Sequence, residues 1–509
     1  MADKRSAMRR ASFPSLLLSL VAGAAAVAGF APVGLWPLPV LSLALLFGQL
    51  SHAGSARSGF LTGLAWGLGF FLAGVSWVFV SLWVYGGMSV WLAALATFLF
   101  CAFLALFPAM AGALQGYVEA RQRIAPALQL VLLLPLAWSV TEWSRGWIFT
   151  GFPWLVLGYS QVPAGPLAGY APIVGVYGVS FLLAMSAGLL AWGAARRRPL
   201  TTRLWTAAAI AAIGVGGQVL GGIAWTKPDG APTSVALLQG NIPQDMKWQP
   251  GKARATLETY ARMAAASPAQ LIVLPETALP LFESGLPPEY REFLIALGHR
   301  NGGDVLAGLP TGSLDGAYYN SVVSFGRSPG QRYSKVHLVP FGEYIPLKRL
   351  WGWVIEVLHI PLSDFARGGV DQRPLAIGGQ RVAADICYED AFGEEIIRQL
   401  PEASMLVNVS NLAWFGDSLA PWQHAQMSQM RALEAGRMML RATNTGLTAI
   451  IDTKGRVLAS LPLFTAGSLS GEIQGYTGST PYVRWGDTPV LMLWGMLGIV
   501  LLAAILTRP

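Results

Sequence analysis

Apolar residues run almost unbroken for about twenty positions at a time near 13–31, 36–51, 59–82, 89–113, 126–146, 172–195, 204–225 and 487–507. Crossing ~30 Å of hydrocarbon takes roughly 20 helical residues, so the pattern predicts eight transmembrane helices. Between the seventh run and the eighth the pattern changes. From 233 onward short strand-like runs alternate with helical stretches: SVALLQGN, QLIVLPETA, DVLAGLP, YNSVVSFG, YSKVHLVPFGE, RVAADICYED, SMLVNVSN and TAIIDTKGRVL. Continuous apolar strands such as LIVL and MLVNV predict sheets covered on both faces. The expected architecture there is a layered α/β domain with helices outside stacked sheets. The chain is thus expected to divide into a membrane domain over 1–225, a globular domain over 226–486, and a last helix with the C-terminus over 487–509.

Composition agrees with a membrane class: 53% of residues are apolar, 12% are charged, and the mean hydropathy is +0.48. The net charge of +8 would suit a nucleic-acid binder, but its distribution excludes that reading. Residues 226–486 hold 22 Lys/Arg against 23 Asp/Glu, which leaves 13 basic and 4 acidic residues elsewhere. Lys4, Arg5, Arg9 and Arg10 precede span one, Arg57 follows span two, and Arg121 and Arg123 follow span four. Arg196, Arg197, Arg198 and Arg203 follow span six, Arg508 follows span eight, and Arg145 alone falls on the other face. This positive-inside pattern predicts cytoplasmic termini and an external domain, periplasmic in a Gram-negative cell. The start, MADKRSAMRR before small apolar residues, also resembles a secretory signal. With or without cleavage, the domain follows the seventh span.

The two cysteines, Cys101 in span four and Cys387 in the external domain, are separated by the membrane boundary, so no intramolecular disulfide is expected. A lone thiol in an oxidising compartment invites a functional reading for Cys387 against that of an inert core residue; Cys101 reads as packing. Glu276 closes LIVLPE, Lys335 sits in RYSKVHLVPFGE and Cys387 closes VAADICYE, so strand ends would deliver a carboxylate, an ammonium and a thiol. A carboxylate can take the thiol proton and return it later. An ammonium can lower the thiol pKa and stabilise an oxyanion, with the Tyr388 backbone N–H as a second donor. Taken singly, each has a plain structural reading: a strand-end cap, a surface lysine, a core cysteine.

Read together, LPET, SKVHLVPFGEYIP, ICYED and NVSNLAWFGD resemble the nitrilase or carbon-nitrogen hydrolase superfamily. That resemblance implies a Glu-Lys-Cys triad on an αββα sandwich. Seven spans before such a domain and one after it, with QGNIPQDMKW, PFGEYIP and ICYE, are similar to the apolipoprotein N-acyltransferase family over essentially the whole chain. The resemblance implies Cys387 as acylated nucleophile, Glu276 as general base and Lys335 as oxyanion and thiolate stabiliser. It further implies Glu343 and Glu389 as supporting carboxylates, with Tyr388 beside them. Trp248, Asn411, Trp414 and Phe415 are implied as pocket or loop residues.

The implied activity moves a fatty acyl chain from a phospholipid to the N-terminal α-amine of a diacylglyceryl-cysteine apolipoprotein, the last step of bacterial lipoprotein maturation. It would proceed by ping-pong through a thioester at the inner membrane, with a monomeric enzyme and no cofactor. No grouped His/Cys/Asp pattern suggests a metal and no phosphate-cradling loop is present. The segment 347–362, LKRLWGWVIEVLHIPL, suits an interfacial arm or lid, or else an ordinary packed loop. Trp143, Trp147, Phe149, Phe152 and Trp154 suit headgroup anchoring, and Glu142 with Arg145 suits a structural pair. His424, on a helix-like stretch 422–442, reads as structural. Two rivals stand: a tethered amidase hydrolysing small amides, for which eight spans are excessive, and a transporter with an accessory domain. The second is disfavoured because Asp3, Glu119, Glu142 and Asp487, the acids outside the domain, lie at span ends or in loops.

Overall fold

The hydrophobic runs become helices in the computed structural model, which describes residues 11–121, 124–196, 198–244, 251–345 and 364–507. The described chain forms two compact units, one of 1–76, 94–223 and 485–509, the other of 77–93 and 224–484. In the first unit, helices α1 (Phe13–Ala26) and α2 (Pro37–Leu50) are followed by α3 (Ala56–Val75), α4 (Val90–Arg121) and α5 (Leu134–Arg145). Then come α6 (Ala171–Ala194), α7 (Leu200–Gly221) and a C-terminal helix, Thr488–Thr507. Among the described residues, six segments are long and apolar enough to cross a membrane: Ala56–Val75, Val90–Arg121, Pro126–Arg145, Ala168–Ala194, Leu200–Gly221 and Thr488–Ile505. The first two predicted spans differ, appearing as the shorter apolar helices Phe13–Gly29 and Pro37–Leu50. Pro37 opens the second of these, and at ~1.5 Å per residue its fourteen residues fall short of ~30 Å.

Small residues let these helices meet backbone to backbone, as membrane helices require when no hydrophobic force separates them from lipid. A Cβ on Gly23 of α1 would stand 2.0 Å from the Trp66 carbonyl of α3. Cys101 is buried in α4, its thiol donating to the Phe71 carbonyl at 3.5 Å. Glu142 is buried and accepts from the Leu157 N–H at 3.0 Å and from the Ser180 hydroxyl, while buried Arg145 donates to the carbonyls of Phe152 and Trp154. Both side chains therefore brace the 152–157 loop. Trp147 and Phe149 are exposed and Trp154 is buried.

Among its described residues the second unit contains two six-stranded sheets. Strands β1 (Thr226–Gln239), β2 (Leu271–Val273), β3 (Asp304–Gly312), β4 (Tyr318–Gly326) and β5 (Arg332–Ser334) build one sheet in the order β12-β1-β2-β3-β4-β5. Strands β6 (Leu375–Ile377), β7 (Gln380–Ile386), β8 (Met405–Ser410), β9 (Met439–Thr443), β10 (Ala449–Ile451) and β11 (Val457–Ser460) build the other, and β12 (Gly467–Gly478) returns to the first. Pairing is parallel among β1, β2 and β3 and among β7, β8 and β9, and antiparallel towards the edges.

Alternation along the strands explains the layers, since successive side chains point to opposite faces. Val235, Leu237 and Val273 pack between the sheets with Val382, Ala384, Val407 and Leu440. Ala236, Leu238 and Ile272 face outward onto Leu257 and Tyr260 of α8 (Lys252–Ala265) and Leu294 of α9 (Pro288–Arg300). Ala383, Leu406 and Met439 face Ala425 and Ala432 of α10 (Ala420–Ala435). This is the αββα sandwich that the resemblance implied. The helix expected over 422–442 is corrected: it stops at Ala435 because Gly436 takes a left-handed φ of 61°, and the chain re-enters the sheet as β9.

Candidate active site

The central strands of each sheet are parallel, so their C-terminal ends gather side chains from distant positions. Glu276 follows β2, Lys335 follows β5, Cys387 follows β7 and Asn411 follows β8. Cys387 itself has φ 55°, a left-handed conformation that is costly for a residue with a side chain, at the turn from β7 into the 3-10 segment Cys387–Ala391. The thiol is thereby turned out of the strand and half-buried.

Lys335 is almost fully buried, its Nζ 2.9 Å from Glu343 Oε2 and 3.6 Å from Glu276 Oε1. The Glu276 carboxylate accepts from Asn320 Nδ2 at 2.8 Å and from the Asn411 backbone N–H at 2.8 Å. Glu343 accepts from Asn320 Nδ2 at 2.9 Å and, through Oε2, from the Val339 N–H at 2.9 Å. Burial opposes the charge on Lys335, but Glu343, then Glu276, outweigh it and hold its pKa above the ordinary lysine value. The ammonium is therefore permanent at working pH and cannot be the base. Burial, then Glu276, push the Cys387 thiol well above the ordinary range, while Lys335 pulls it down. The lysine thus acts in the expected direction, yet the resting thiol keeps its proton.

Glu389 is buried one turn past the cysteine and accepts from the backbone N–H groups of Ile386, Val336 and His337 at 2.7, 2.6 and 3.0 Å, and from the Tyr333 hydroxyl at 3.0 Å. It staples the cysteine turn to the segment that follows Lys335. Burial pushes its pKa up to about 7, against the lowering pull of Lys335 and these donors. Tyr388 is buried, its ring 5.1 Å from that of Phe392. Trp414 and Phe415 are half-buried on the 3-10 turn Ala413–Phe415, against Tyr85 at 6.0 Å and Trp77 at 4.7 Å between ring centroids. Asn411 is buried, its side chain donating to Gln244 and accepting from Asn444. Trp248 and the expected arm at 347–362 lie outside the described residues.

A carbon-nitrogen hydrolase family model matches residues 234–482, and one for the apolipoprotein N-acyltransferase N-terminal domain matches 22–189. The chain is 52% identical over 485 residues to an apolipoprotein N-acyltransferase of Nitrosomonas europaea, covering 95% of this chain and 96% of that protein. The chain belongs to the apolipoprotein N-acyltransferase family. A relative of the same name from Methylococcus capsulatus is 47% identical over 95% of both chains. Among solved structures, an amidase from Nesterenkonia sp. is 18% identical with a TM-score of 0.38, covering 52% of this chain and 97% of that chain.

For this member of the apolipoprotein N-acyltransferase family, a buried network behind the cysteine was invisible in the sequence. The Cys387 carbonyl accepts from Asn408 Nδ2 at 3.1 Å and from His424 Nε2 at 3.0 Å. Arg441 Nη2 donates to His424 Nδ1 at 2.8 Å, so the imidazole proton sits on Nε2, which also lies 2.6 Å from Asp390 Oδ1. Burial lowers the His424 pKa, Asp390 opposes this, and Arg441 adds to it; the ring is neutral. His424, read from the sequence as structural, hydrogen-bonds the peptide of Cys387 itself. Asn320 was also missed: in YNSVVSFG it reads as an ordinary strand polar residue, and only the fold aims its amide at two carboxylates.

Proposed function

We propose that the chain transfers a fatty acyl group from a phospholipid to the α-amine of an apolipoprotein's N-terminal diacylglyceryl-cysteine, through a thioester on Cys387. The observation that carries this reading is the convergence of Glu276, Lys335 and Glu343, with the charges of Glu276 and Lys335 both acting on the Cys387 thiol. As the thiol sulfur attacks the ester carbonyl, its proton passes to Glu276, and the carbonyl oxygen becomes an oxyanion beside the Lys335 ammonium. The Tyr388 N–H serves as the second oxyanion donor. Collapse breaks the ester C–O bond, and the departing alcohol of the lysophospholipid takes the proton from Glu276. The acceptor amine then attacks the thioester, Glu276 receives the amine proton, and the expelled sulfur recovers it. Glu343 keeps Lys335 charged and in place throughout, and Glu389 holds the cysteine turn.

Membrane-spanning helices suit substrates that both reside in a bilayer, because a site fixed to the membrane gains proximity to each. The basic residues on one set of loops support cytoplasmic termini and a periplasmic catalytic domain in the bacterial inner membrane. The acting species is a monomer using no cofactor. Intact-protein mass spectrometry after incubation with phospholipid tests the mechanism. It should find a hydroxylamine-labile acyl mass on Cys387 that disappears when a diacylglyceryl-cysteine peptide is added. A wild-type chain that never acylates, or a Cys387→Ser variant that acylates as readily, overturns the proposal.

A further inference from the structure

Asn320 lies in β4 opposite Pro310 of β3 and is 3% exposed. Its side chain bonds both carboxylates beside the Lys335 ammonium, and its main chain bonds the main chain of Lys335. Its Nδ2 donates to Glu276 Oε1 at 2.8 Å and to Glu343 Oε1 at 2.9 Å, and its main-chain carbonyl accepts from the Lys335 N–H at 2.8 Å. The amide has one workable orientation. Turned over, it would aim Oδ1 at two carboxylates, whereas in place it leaves Oδ1 buried without a hydrogen-bond partner among the described residues. A bare buried acceptor is unfavourable, so the two donated bonds outweigh it.

The charges explain why a neutral double donor belongs here. Glu276 and Glu343 share one cation, and Lys335 stands 0.7 Å nearer Glu343 than Glu276, from separations of 2.9 and 3.6 Å. Like charges in one site raise each other's proton affinity. Glu276 is therefore the carboxylate that Lys335 satisfies less. A second cation would make Glu276 too poor a base for a thiol, and an apolar side chain would leave two carboxylates facing one another.

We propose that Asn320 is a positioning residue of the acyl transfer, donating one N–H to each of Glu276 and Glu343 so that the two carboxylates are held in register and Glu276 is aimed at Cys387. The inference rests on the reading of Glu276 as the base. Among the described residues, the groups facing Glu276 include Lys335, Glu343 and Cys387, with Asn320 Nδ2 on one oxygen and the Asn411 N–H on the other. Removing donors from a carboxylate raises its proton affinity, so the acid side of the rate profile moves to higher pH.

The test is first-turnover acylation of Cys387 by phosphatidylethanolamine in mixed micelles, read by intact mass from pH 5 to 9 on the full chain. Asn320→Ala should move the acid limb up by about one pH unit, and the isosteric Asn320→Asp, which adds a third carboxylate, should move it further. Melting temperature identifies a variant that does not fold, and Asn320→Ser, which keeps one donor and should show a smaller upward shift, then decides. Slowing by one common factor at every pH with the limb unmoved, or a wild-type profile, overturns the proposal. Glu276→Gln separates the two readings. If it acylates at the wild-type rate the base assignment fails; if it is inactive while the Asn320 limbs stay fixed, only the Asn320 proposal fails.

Discussion

Gly308 lies in the middle of β3 where the turn carrying Glu276 crosses it, and adding one methyl group there tests whether the site depends on that crossing. A Cβ at Gly308 would stand 2.5 Å from the Pro275 carbonyl oxygen, 2.7 Å from the Thr277 nitrogen and 2.8 Å from the Glu276 Cα. All three are backbone atoms, so no side-chain rotation relieves the clash. Restoring ordinary contact at 3.4 Å requires 0.6–0.9 Å of displacement. The strand cannot easily supply it, because Leu274 N–H donates to Leu306 and Leu279 N–H to Gly308 at 2.8 and 3.1 Å, and Thr277 already sits at φ 45°. The carboxylate is therefore carried away from Asn320 and Asn411. Overpacking costs about 1–3 kcal/mol of stability, whereas a misplacement of ~1 Å costs a rate on the order of 100-fold. Gly308→Ala should slow first-turnover acylation of Cys387 by roughly 10- to 100-fold while the chain still melts cooperatively. Gly285→Ala, whose Cβ meets nothing within 4 Å, is the control and should behave as wild type. A folded Gly308→Ala variant that acylates within about twofold of wild type would refute the claim that backbone contact at β3 places the base.

Two further outcomes follow from the buried groups around the cysteine. His424→Ala removes one of the two donors to the Cys387 carbonyl and should cost about 1–3 kcal/mol in chemical denaturation together with slower acylation; an unchanged rate with lowered stability would show that the turn holds without it. Glu389 ties stability to pH: its folded carboxyl is pushed up to about 7 from an ordinary 4.5, so the folded state holds an extra proton between those values. Its contribution to stability should therefore fall as pH rises through that window, by on the order of 3 kcal/mol. The stability difference between wild type and Glu389→Gln, followed from pH 5 to 7.5, should shrink accordingly, and a difference that stays flat or grows contradicts the assignment.

Much of the site's chemistry can be read along the chain because the groups concerned sit at or just beyond strand ends. Glu276 and Cys387 end short apolar runs bounded by turn residues, a pattern consistent with buried strands, and Glu343 follows Lys335 within one loop. What supports them is nonlocal and could not be read that way. Asn320 reaches Glu276 from 44 positions away, and Arg441 reaches Asp390 from 51. Arg441 lies fully buried in mid-strand, where an arginine in sequence usually signals exposure. The MLRAT strand was hidden for a related reason: a short apolar run directly after an amphipathic helix carries no period that separates it from one more helical turn, and the left-handed Gly436 was the available signal.

The charge states divide the labour at the site more sharply than residue types alone. Lys335 is held as an ammonium by Glu343, so it can stabilise negative charge but cannot accept a proton. Cys387 is held as a thiol by burial and by Glu276, so no thiolate waits in the resting enzyme. Glu276 is the carboxylate whose charge bears most on the thiol, and it is the less satisfied partner of the lysine. On the proposed mechanism, proton transfer from sulfur and bond formation at the ester carbon occur together, because the negative charge becomes tolerable only once it reaches the oxygen beside Lys335. Such a thiol stays quiet, on the same mechanism, until an acyl carbonyl occupies the oxyanion position, which is the property required of a nucleophile that must select one ester among many.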